Sequence, residues 1–419
     1  MTKSAKKESR SQQGTVWSQL MLPLAALLRG DLRELAMSLG MQSITAMLEQ
    51  ERTELCGPRY EHQAGRKATR GGSTRGELAF GGRKVPVPRP RVVDLDGCEI
   101  PLETWSQLQS SDPLGARALE QMLVGVATRK YARSLESVPE GLEERGTSKS
   151  AVSRRFVEAT AEKLTEWMSR SLSELDVCAV FIDGLHFAEH VVLVALGVDA
   201  LGAKLVLGLW EGATENSVAC KALLDDLVTR GLDPKRKRLF VIDGSGGLRA
   251  AIRDVFGKRA LVQRCQQHKM ENVVSHLPKT KHAAVRAAMR QAYKSTRVET
   301  AKRLLNNLIR SLEANHPGAA GSLREGLDET LTVMGLGLPR SLERSFSTTN
   351  PVENLNGSLR AVAHRVKRWR DGTMILRWAA AGVLEASRGF RRLKGHKDMP
   401  KLLVVLSDEH HVDAERKAA

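Results

Sequence analysis

Two apolar segments of this chain end in the same way, with an aspartate followed by a glycine. They are Phe181-Ile182-Asp183-Gly184 and Val241-Ile242-Asp243-Gly244. An uninterrupted apolar run before each aspartate is typical of a strand that is buried on both faces. Turn formation explains a single Asp-Gly pair. Two such pairs in one sheet instead favour a shared site at the sheet edge, where α/β proteins place their functional groups.

The apolar spacing around these segments predicts a complete α/β sheet with an antiparallel edge. The predicted order is strands over 178–183, 190–198 and 203–210, a helix over 215–230, a strand over 238–243, a helix over 247–256 and a strand over 260–262. Residues 269–345 have helical spacing and no further strand pattern, which indicates an all-helical insertion.

A third carboxylate lies in a helix predicted to begin near Asn350 and Pro351, residue types that suit an N-cap and a first helical position. Glu353 borders the apolar stripe of this helix, and Asn356 and Arg360 share its face. In an alternative interpretation, Glu353 only completes a capping box with Asn350. If the three carboxylates converge, their mutual repulsion requires a cation.

The N-terminal third is predicted to be mainly helical and to bind DNA. We expect a basic disordered arm over 1–13, a helical region and a Gly/Arg/Pro-rich linker over 14–114, and a helix-turn-helix-like region over 115–175. The linker, from 57 to 97, is expected to be extended, with room for one short hairpin, and it could contact phosphates or could be a solvated connection. Within that region we expect a first helix near 131–137, a turn over 139–146 and a second helix capped by Thr147 or Ser148. The residues of the second helix expected to face DNA are Lys149, Arg154 and Arg155. In the alternative interpretation it is an ordinary amphipathic helix with basic residues on its solvent face.

The charge balance points to a polyanionic partner. The 419 residues contain 65 Lys and Arg against 48 Asp and Glu, a net charge of +17, and nucleic acid is the first candidate. Five cysteines at irregular spacing argue against a disulfide scaffold and suit a reducing cytoplasm. No apolar segment is long and continuous enough to predict a membrane span.

Cys265 and His268 have the spacing of half a zinc site. A structural zinc site needs four ligands, and the sequence offers no second Cys pair, although Cys220, His276 or His282 could contribute. We therefore do not expect zinc. His268 is expected to orient the site or contact DNA, and Cys265 could be a core residue.

The segment from about 115 to 403 resembles the Mutator-like bacterial insertion-sequence transposases, which carry a DDE triad. The matching stretches are Gly146-Thr147-Ser148-Lys149-Ser150-Ala151-Val152-Ser153-Arg154, the two Asp-Gly strand ends, Gln263-Arg264-Cys265-Gln266-Gln267-His268-Lys269, Thr349-Asn350-Pro351-Val352-Glu353-Asn354-Leu355-Asn356, and Trp378 through Phe390-Arg391-Arg392-Leu393-Lys394-Gly395-His396-Lys397. Asp243 follows Asp183 by 60 positions and Glu353 follows by a further 110. Two strand-end aspartates and a helical glutamate are the arrangement of RNase H-like polynucleotidyl transferases.

The resemblance implies an RNase H-like core over 176–268 and 346–403, interrupted by the helical insertion over 269–345 and followed by a tail over 404–419. It implies that Asp183, Asp243 and Glu353 are catalytic and hold two Mg²⁺ or Mn²⁺ ions. It places an accessory set near them, namely Cys265, His268, Asn350 and Asn356. The basic residues after the triad that are expected to contact DNA are Arg360, Lys367, Arg368 and Arg370.

The implied function is a DDE transposase that binds terminal inverted repeats as a homodimer or larger complex and catalyses DNA cleavage and strand transfer. One alternative is a non-catalytic repressor derived from a transposase, although all three carboxylates are present. The other is an RNase H-like metal nuclease without strand transfer. Joining of a pre-cut 3′-OH end to a plasmid would separate this nuclease from the transposase.

Overall fold

A computed structural model describes residues 32–407 except 62–64, 66–67, 111–112, 136–142, 144, 213–216, 365 and 367. The chain divides into two compact units, Met1–Ala159 and Thr160–Ala419. The predicted basic arm over 1–13 and most of the predicted tail over 404–419 lie outside the described residues. Within the described ranges, none of the helices combines the length and the apolar composition that crossing a bilayer requires.

The first unit combines helices with a three-stranded antiparallel sheet. Its elements are α1 (Leu32–Cys56), β1 (Ala68–Phe80), β2 (Arg83–Asp94), β3 (Glu99–Ile100), α2 (Glu103–Ser110) and α3 (Pro113–Leu123), followed by two 3₁₀ turns (Thr128–Lys130 and Ala132–Ser134). The strand order is β1-β2-β3. Helix α1 confirms the second half of the helical region predicted over 14–57.

Most of the predicted linker over 57–97 forms the β1–β2 hairpin, with strands of 13 and 12 residues. The extended linker is therefore wrong, and the hairpin is much longer than the short one considered from the sequence. The pairing runs from Ala68 opposite Asp94 to Phe80 opposite Arg83. On β2, Val85 and Val87 are buried, and so is Val92 beyond the register shift. These valines supply the apolar face that a linker lacks. Gly and Arg composition concealed this alternation.

Several arginines of the hairpin form ion pairs within the first unit rather than projecting freely. Arg70 pairs with Glu49 over 2.5 Å, and Arg91 pairs with Glu99 over 2.8 Å. Arg75 lies 2.6 Å from Glu143. Because these arginines are paired within the unit, phosphate contact by this segment has less support than its composition suggested.

Helix α4 (Lys149–Ser169) begins where the sequence predicts. Ser148 Oγ accepts a hydrogen bond from the backbone N–H of Ala151 at 3.3 Å, and Val152 and Phe156 are buried. The first helix of the expected helix-turn-helix, near 131–137, is wrong in its described part, where only the short turn Ala132–Ser134 is found.

The second unit is built around a five-stranded sheet. Its strands and the helices among them are β4 (Val177–Phe187), β5 (His190–Asp199), β6 (Lys204–Gly212), α5 (Ser217–Thr229), β7 (Arg238–Ile242), α6 (Gly246–Phe256) and β8 (Ala260–Arg264). The order is β6-β5-β4-β7-β8. The first three strands are antiparallel, whereas β7 is parallel to both β4 and β8. This confirms the predicted α/β sheet with an antiparallel edge.

Alternate residues of the central strands feed two separate cores. Val180 and Ile182 of β4 pack on one face with α5 and α6. Ala179 and Phe181 pack on the other face with the C-terminal helices. Those helices are α13 (Asn350–Ala363), α14 (Gly372–Arg388) and α15 (Met399–Leu406). Burial on both faces explains why the strands read as continuous apolar runs.

Helices alone fill the segment between β8 and α13, as its apolar spacing predicts. They are α7 (Gln266–Ser275), α8 (Lys279–Tyr293), α9 (Val298–Glu313), α10 (Pro317–Arg324), α11 (Thr332–Gly335) and α12 (Arg340–Phe346), with a 3₁₀ turn at Asp328–Leu331. This segment has its own apolar core. The fully buried Lys269 donates to the backbone oxygens of Ser322 and Glu325, which ties α7 to the end of α10.

Candidate active site

Asp183 and Asp243 occupy corresponding positions on neighbouring parallel strands. Ile182 of β4 is opposite Ile242 of β7, so each aspartate follows the last paired residue at the same edge of the sheet. The prediction that β4 ends at Asp183 is wrong. The strand continues to Phe187, because Asp183 and the residues after it still pair with β5, Asp183 being opposite Val194.

The backbone after Asp243 turns sharply into α6. Gly244 has φ +111°, a conformation that glycine adopts without strain. The Oδ1 atom of Asp243 accepts the backbone N–H of Ser245 at 2.9 Å, and Ser245 in turn caps α6. The turn therefore holds the Asp243 carboxylate at the sheet edge.

Helix α13 brings the third acidic residue to this edge. Its residues Val352, Leu355 and Leu359 are buried against the sheet, as the predicted apolar stripe requires. One turn after Glu353, the amide Nδ2 of Asn356 donates to Asp183 Oδ2 at 2.8 Å. This hydrogen bond joins α13 directly to β4 over a sequence separation of 173 residues.

The start of α13 differs from the prediction by one residue. Thr349 is the N-cap and Asn350 is already helical, and Asn350 is exposed. Glu353 Oε1 accepts a hydrogen bond from the hydroxyl of Thr349 at 2.5 Å. The capping box between Glu353 and Asn350 is thus wrong, because the carboxylate binds the Thr349 hydroxyl instead.

The three carboxylates influence one another electrostatically. Burial, followed by the charges of Asp243 and Glu353, raises the pKa of Asp183 to about 6, against the opposing effect of His268. Negative charge is therefore costly at Asp183 in the absence of a cation.

Cys265 and His268 stand beside Glu353 at the start of α7. Burial raises the pKa of the Cys265 thiol, but hydrogen bonds from His268 and Thr349 outweigh burial and lower the pKa overall. The hydrogen bond to Cys265, together with the charges of Glu353 and Asp183, raises the pKa of His268 to about 9, against the opposing effect of burial. The His268 Nδ1 atom lies 3.9 Å from Glu353 Oε1. The structure thus brings Cys265 and His268, two of the four predicted accessory residues, beside Glu353.

The donor set suits a hard divalent cation. Asp183 and Asp243 follow neighbouring strand ends, Glu353 is near enough to affect the Asp183 charge, and the Oδ1 atom of Asn356 is buried with no hydrogen-bond partner in the described part of the chain. Asn356 itself is 1% exposed. Carboxylate and amide oxygens are the ligands that Mg²⁺ and Mn²⁺ prefer. A cation or its bound water would satisfy this orphaned oxygen.

The basic residues predicted to contact DNA are placed in different ways. On the second unit, Arg360, Arg368 and Arg370 are exposed, and Lys367 lies outside the described residues. On the first unit, Lys149 and Arg154 are exposed. Arg155 is half-buried, and its Nη1 donates to the backbone oxygen of Gly146 at 2.6 Å.

Sequence reasoning missed Thr349. Its side chain is completely buried and contacts Glu353, Cys265 and His268. The signal available was its position directly before the Asn350-Pro351 helix start, where the N-cap of a helix is chosen from Ser, Thr, Asp and Asn.

Comparison with known proteins gives consistent matches over most of the chain. The family model described as Transposase, Mutator family, matches residues 27–390. The transposase for insertion sequence element IS256 in transposon Tn4001 of Staphylococcus aureus is 28% identical over 335 residues, covering 75% of this chain and 80% of that protein. The transposase for element ISRM5 of Rhizobium meliloti is 28% identical over 326 residues, covering 76% and 78%. The transposase for element IS905 of Lactococcus lactis is 26% identical over 291 residues, covering 68% and 70%.

Proposed function

The chain belongs to the Mutator family of transposases, and from this we propose that it is a DDE transposase of an insertion sequence with Asp183, Asp243 and Glu353 as its catalytic carboxylates. The observation that carries the proposal is the convergence of the three acidic residues at one sheet edge, with Asn356 bound to Asp183. Strand, strand and helix supply them in the order that an RNase H-like core requires. The helical segment 269–345 is then the insertion that separates the second carboxylate from the third.

The reaction proposed is phosphoryl transfer on DNA. A water oxygen attacks a phosphodiester at the end of the element, a new P–O bond forms, and the bond to the 3′ oxygen breaks to release a 3′-OH. That 3′-OH then attacks a target phosphodiester, which joins element to target and releases a second 3′-OH. Each step exchanges one P–O bond for another, so no oxidant, reductant or covalent enzyme intermediate is required.

The residues of the site have distinct tasks in this scheme. Asp183, Asp243 and Glu353 would hold two Mg²⁺ or Mn²⁺ ions, which would supply charge neutralisation for the attacking and leaving oxygens. Asn356 keeps the Asp183 carboxylate oriented through its amide. The exposed Arg360, Arg368 and Arg370 are placed to neutralise phosphates of bound DNA.

Two DNA ends must be held together for transposition, so we propose that a homodimer or larger complex binds the terminal inverted repeats. The names of the relatives support the insertion-sequence assignment.

The test is Mg²⁺-dependent cleavage of a DNA fragment that carries the ends of the element. We expect Asp243→Asn to lower the cleavage rate by roughly 100-fold or more, because a charge-stabilising group at the reacting phosphate is lost, while DNA binding in a gel-shift assay is retained. Asp225→Asn is the matched control, since Asp225 is an exposed α5 residue away from the site. Equal cleavage by wild type and Asp243→Asn would refute the assignment.

A second assay separates transposase from nuclease. DNA with a pre-cut 3′-OH end is incubated with the protein, Mg²⁺ and a plasmid, and joined products are counted. A transposase produces joined molecules that depend on Asp183, Asp243 and Glu353. Cleavage without any joining would support the nuclease alternative.

A further inference from the structure

The buried hydroxyl of Thr349 lies among three side chains that resemble a metal-binding set. The ligand atoms of Cys265, His268 and Glu353 all lie within 4.8 Å of one another. The Thr349 Oγ1 atom is 2.5 Å from Glu353 Oε1, 3.3 Å from His268 Nδ1 and 3.4 Å from Cys265 Sγ. The hydroxyl therefore contacts all three of the side chains that a shared metal ion would use as ligands.

Counting protons fixes the direction of these hydrogen bonds. A threonine hydroxyl has one proton and two acceptor lone pairs. The shortest contact is to the charged carboxylate, so the proton is donated to Glu353, since hydrogen bonds to ionised acceptors are the strongest. The oxygen then accepts from His268 Nδ1–H. At 3.4 Å the hydroxyl also faces Cys265 Sγ, which is the acceptor in this longer contact.

The sulfur of Cys265 is held in place by the backbone. Its Sγ atom accepts the N–H of Thr349 at 3.4 Å and the N–H of His268 at 3.5 Å. Cys265 is fully buried and is the N-cap of α7. The sulfur therefore joins the start of α7 to the start of α13, directly behind the Thr349 hydroxyl.

Glu353 needs such support more than the two aspartates do. Asp183 accepts from Asn356, and Asp243 accepts from the Ser245 backbone, so both are fixed at the sheet. The Glu353 side chain is longer and 38% exposed, and holding a glutamate side chain in one rotamer costs conformational entropy. In the described part of the chain its one hydrogen bond at normal distance comes from Thr349.

We propose that Thr349 is a positioning residue that holds Glu353 in its metal-binding rotamer, and that Cys265 and His268 hold the Thr349 hydroxyl instead of binding zinc. This inference rests on the proposed function, because it assigns Glu353 to the divalent-ion site. Partners that orient metal ligands typically contribute 10–100-fold to metal affinity or activity.

The experiment compares Thr349→Val, which keeps the shape and removes the hydroxyl, with Thr349→Ser, which keeps the hydroxyl. The readouts are Mn²⁺ affinity of the DNA-free protein by calorimetry and the Mg²⁺ concentration that gives half-maximal cleavage. We expect Thr349→Val to weaken both by roughly tenfold and Thr349→Ser to restore them. Thr229→Val, an exposed threonine on α5, is the matched control. Wild-type Mn²⁺ affinity in a folded Thr349→Val protein would overturn the inference.

A second pair of variants, at His268, tests the proposal if Thr349→Val does not fold. His268 is 38% exposed, so its replacement is tolerated more easily. His268→Ala removes the Nδ1 donor and is expected to weaken Mn²⁺ binding, whereas His268→Asn keeps a donor close to that position and restores it. Identical Mn²⁺ affinities for these two variants and wild type would contradict the proposal.

Zinc content and the cleavage activity of Glu353→Gln separate failure of this inference from failure of the proposed function. Zinc bound to the purified protein in a one-to-one ratio, and lost in Cys265→Ser, would overturn the assignment of Cys265 and His268 and favour a metal site. Full cleavage by Glu353→Gln would refute the proposed function itself. Loss of cleavage in Glu353→Gln with an unchanged Thr349→Val would refute only the role of Thr349.

Discussion

Asp183 is the residue whose charge state is most affected by its surroundings. Burial and the neighbouring Asp243 and Glu353 raise its pKa to about 6, so in the metal-free protein it holds a proton more tightly than an unfolded chain does. A raised pKa of a carboxyl group stabilises the folded state below the unfolded pKa of about 3.9, and this contribution is lost as the pH rises through about 6. Metal-free folding and metal binding therefore favour opposite charge states of Asp183.

Asp183→Asn should stabilise the metal-free protein above pH 6. The amide carries no charge and can still accept from Asn356, so we expect a gain of about 1–2 kcal/mol at pH 8, after allowance for partial exposure. The gain should disappear between pH 6 and pH 4, where the wild-type carboxyl becomes protonated. Thermal unfolding in chelator at several pH values measures the difference. A difference that does not vary with pH would show that the charge of Asp183 is not its cause.

At this scale the sequence could locate the aspartates but not their interactions. An apolar run ending in Asp-Gly is a local pattern, and the parallel pairing of two such runs brings Asp183 and Asp243 together. Glu353 was ambiguous, because a glutamate near a helix start also suits a capping box. Thr349 could not be singled out, since its partners Cys265 and His268 are more than 80 residues away in the chain.

At the scale of elements, the turn between β7 and α6 is the most constrained link in the site. A Cβ atom on Gly244 would lie 2.0 Å from Arg264 Nε, and φ there is +111°. Arg264 has little freedom to move, because it is 5% exposed and its guanidinium also contacts Glu325. The turn that positions Asp243 therefore requires glycine.

Gly244→Ala should destabilise the protein by about 2–3 kcal/mol, the range for a clash combined with a strained backbone. Gly246→Ala, two residues later, is the matched control, since a Cβ atom there meets nothing within 4 Å and should change stability by less than about 0.5 kcal/mol. Denaturant unfolding of both variants measures the effect. Equal stabilities would contradict the assigned role of the turn.

The elements of the second unit could largely be predicted, whereas the long strands of the first unit could not. Buried parallel strands and amphipathic helices give strong periodic patterns. The β1–β2 hairpin has Pro86, Pro88 and Pro90 in its second strand, which argued against a strand. All three occupy alternate positions, so their missing N–H groups face the same side. The pairing of Lys84 with Arg145 shows that this side faces away from β1. The prolines therefore remove no hydrogen bond between β2 and β1.

At the scale of the whole molecule, the net charge of +17 dominates any encounter with DNA. Some basic side chains are already paired with acidic residues of the chain, as are Arg70, Arg75 and Arg91. Exposed arginines that follow the third carboxylate, such as Arg368 and Arg370, are available to phosphates. We therefore expect DNA binding to weaken steeply with rising salt.

Arg368→Ala should lower the slope of log affinity against log salt concentration by about 1, because one fewer counterion is released for each lost phosphate contact. Arg388→Ala is the matched control, since Arg388 is exposed but pairs with Glu385 over 3.1 Å and should leave the slope unchanged. Fluorescence anisotropy at several salt concentrations gives the slopes. The same slope for Arg368→Ala and wild type would exclude Arg368 from the contact surface.

The proline spacing in β2 has a consequence for how copies of this chain meet. An open strand edge normally offers alternating donors and acceptors to which another strand can add. Between the Lys84–Arg145 bridge and the short β3, this edge offers carbonyl oxygens alone. A strand from a second molecule would find no donors along this stretch of β2, so the stretch does not favour the addition of another strand.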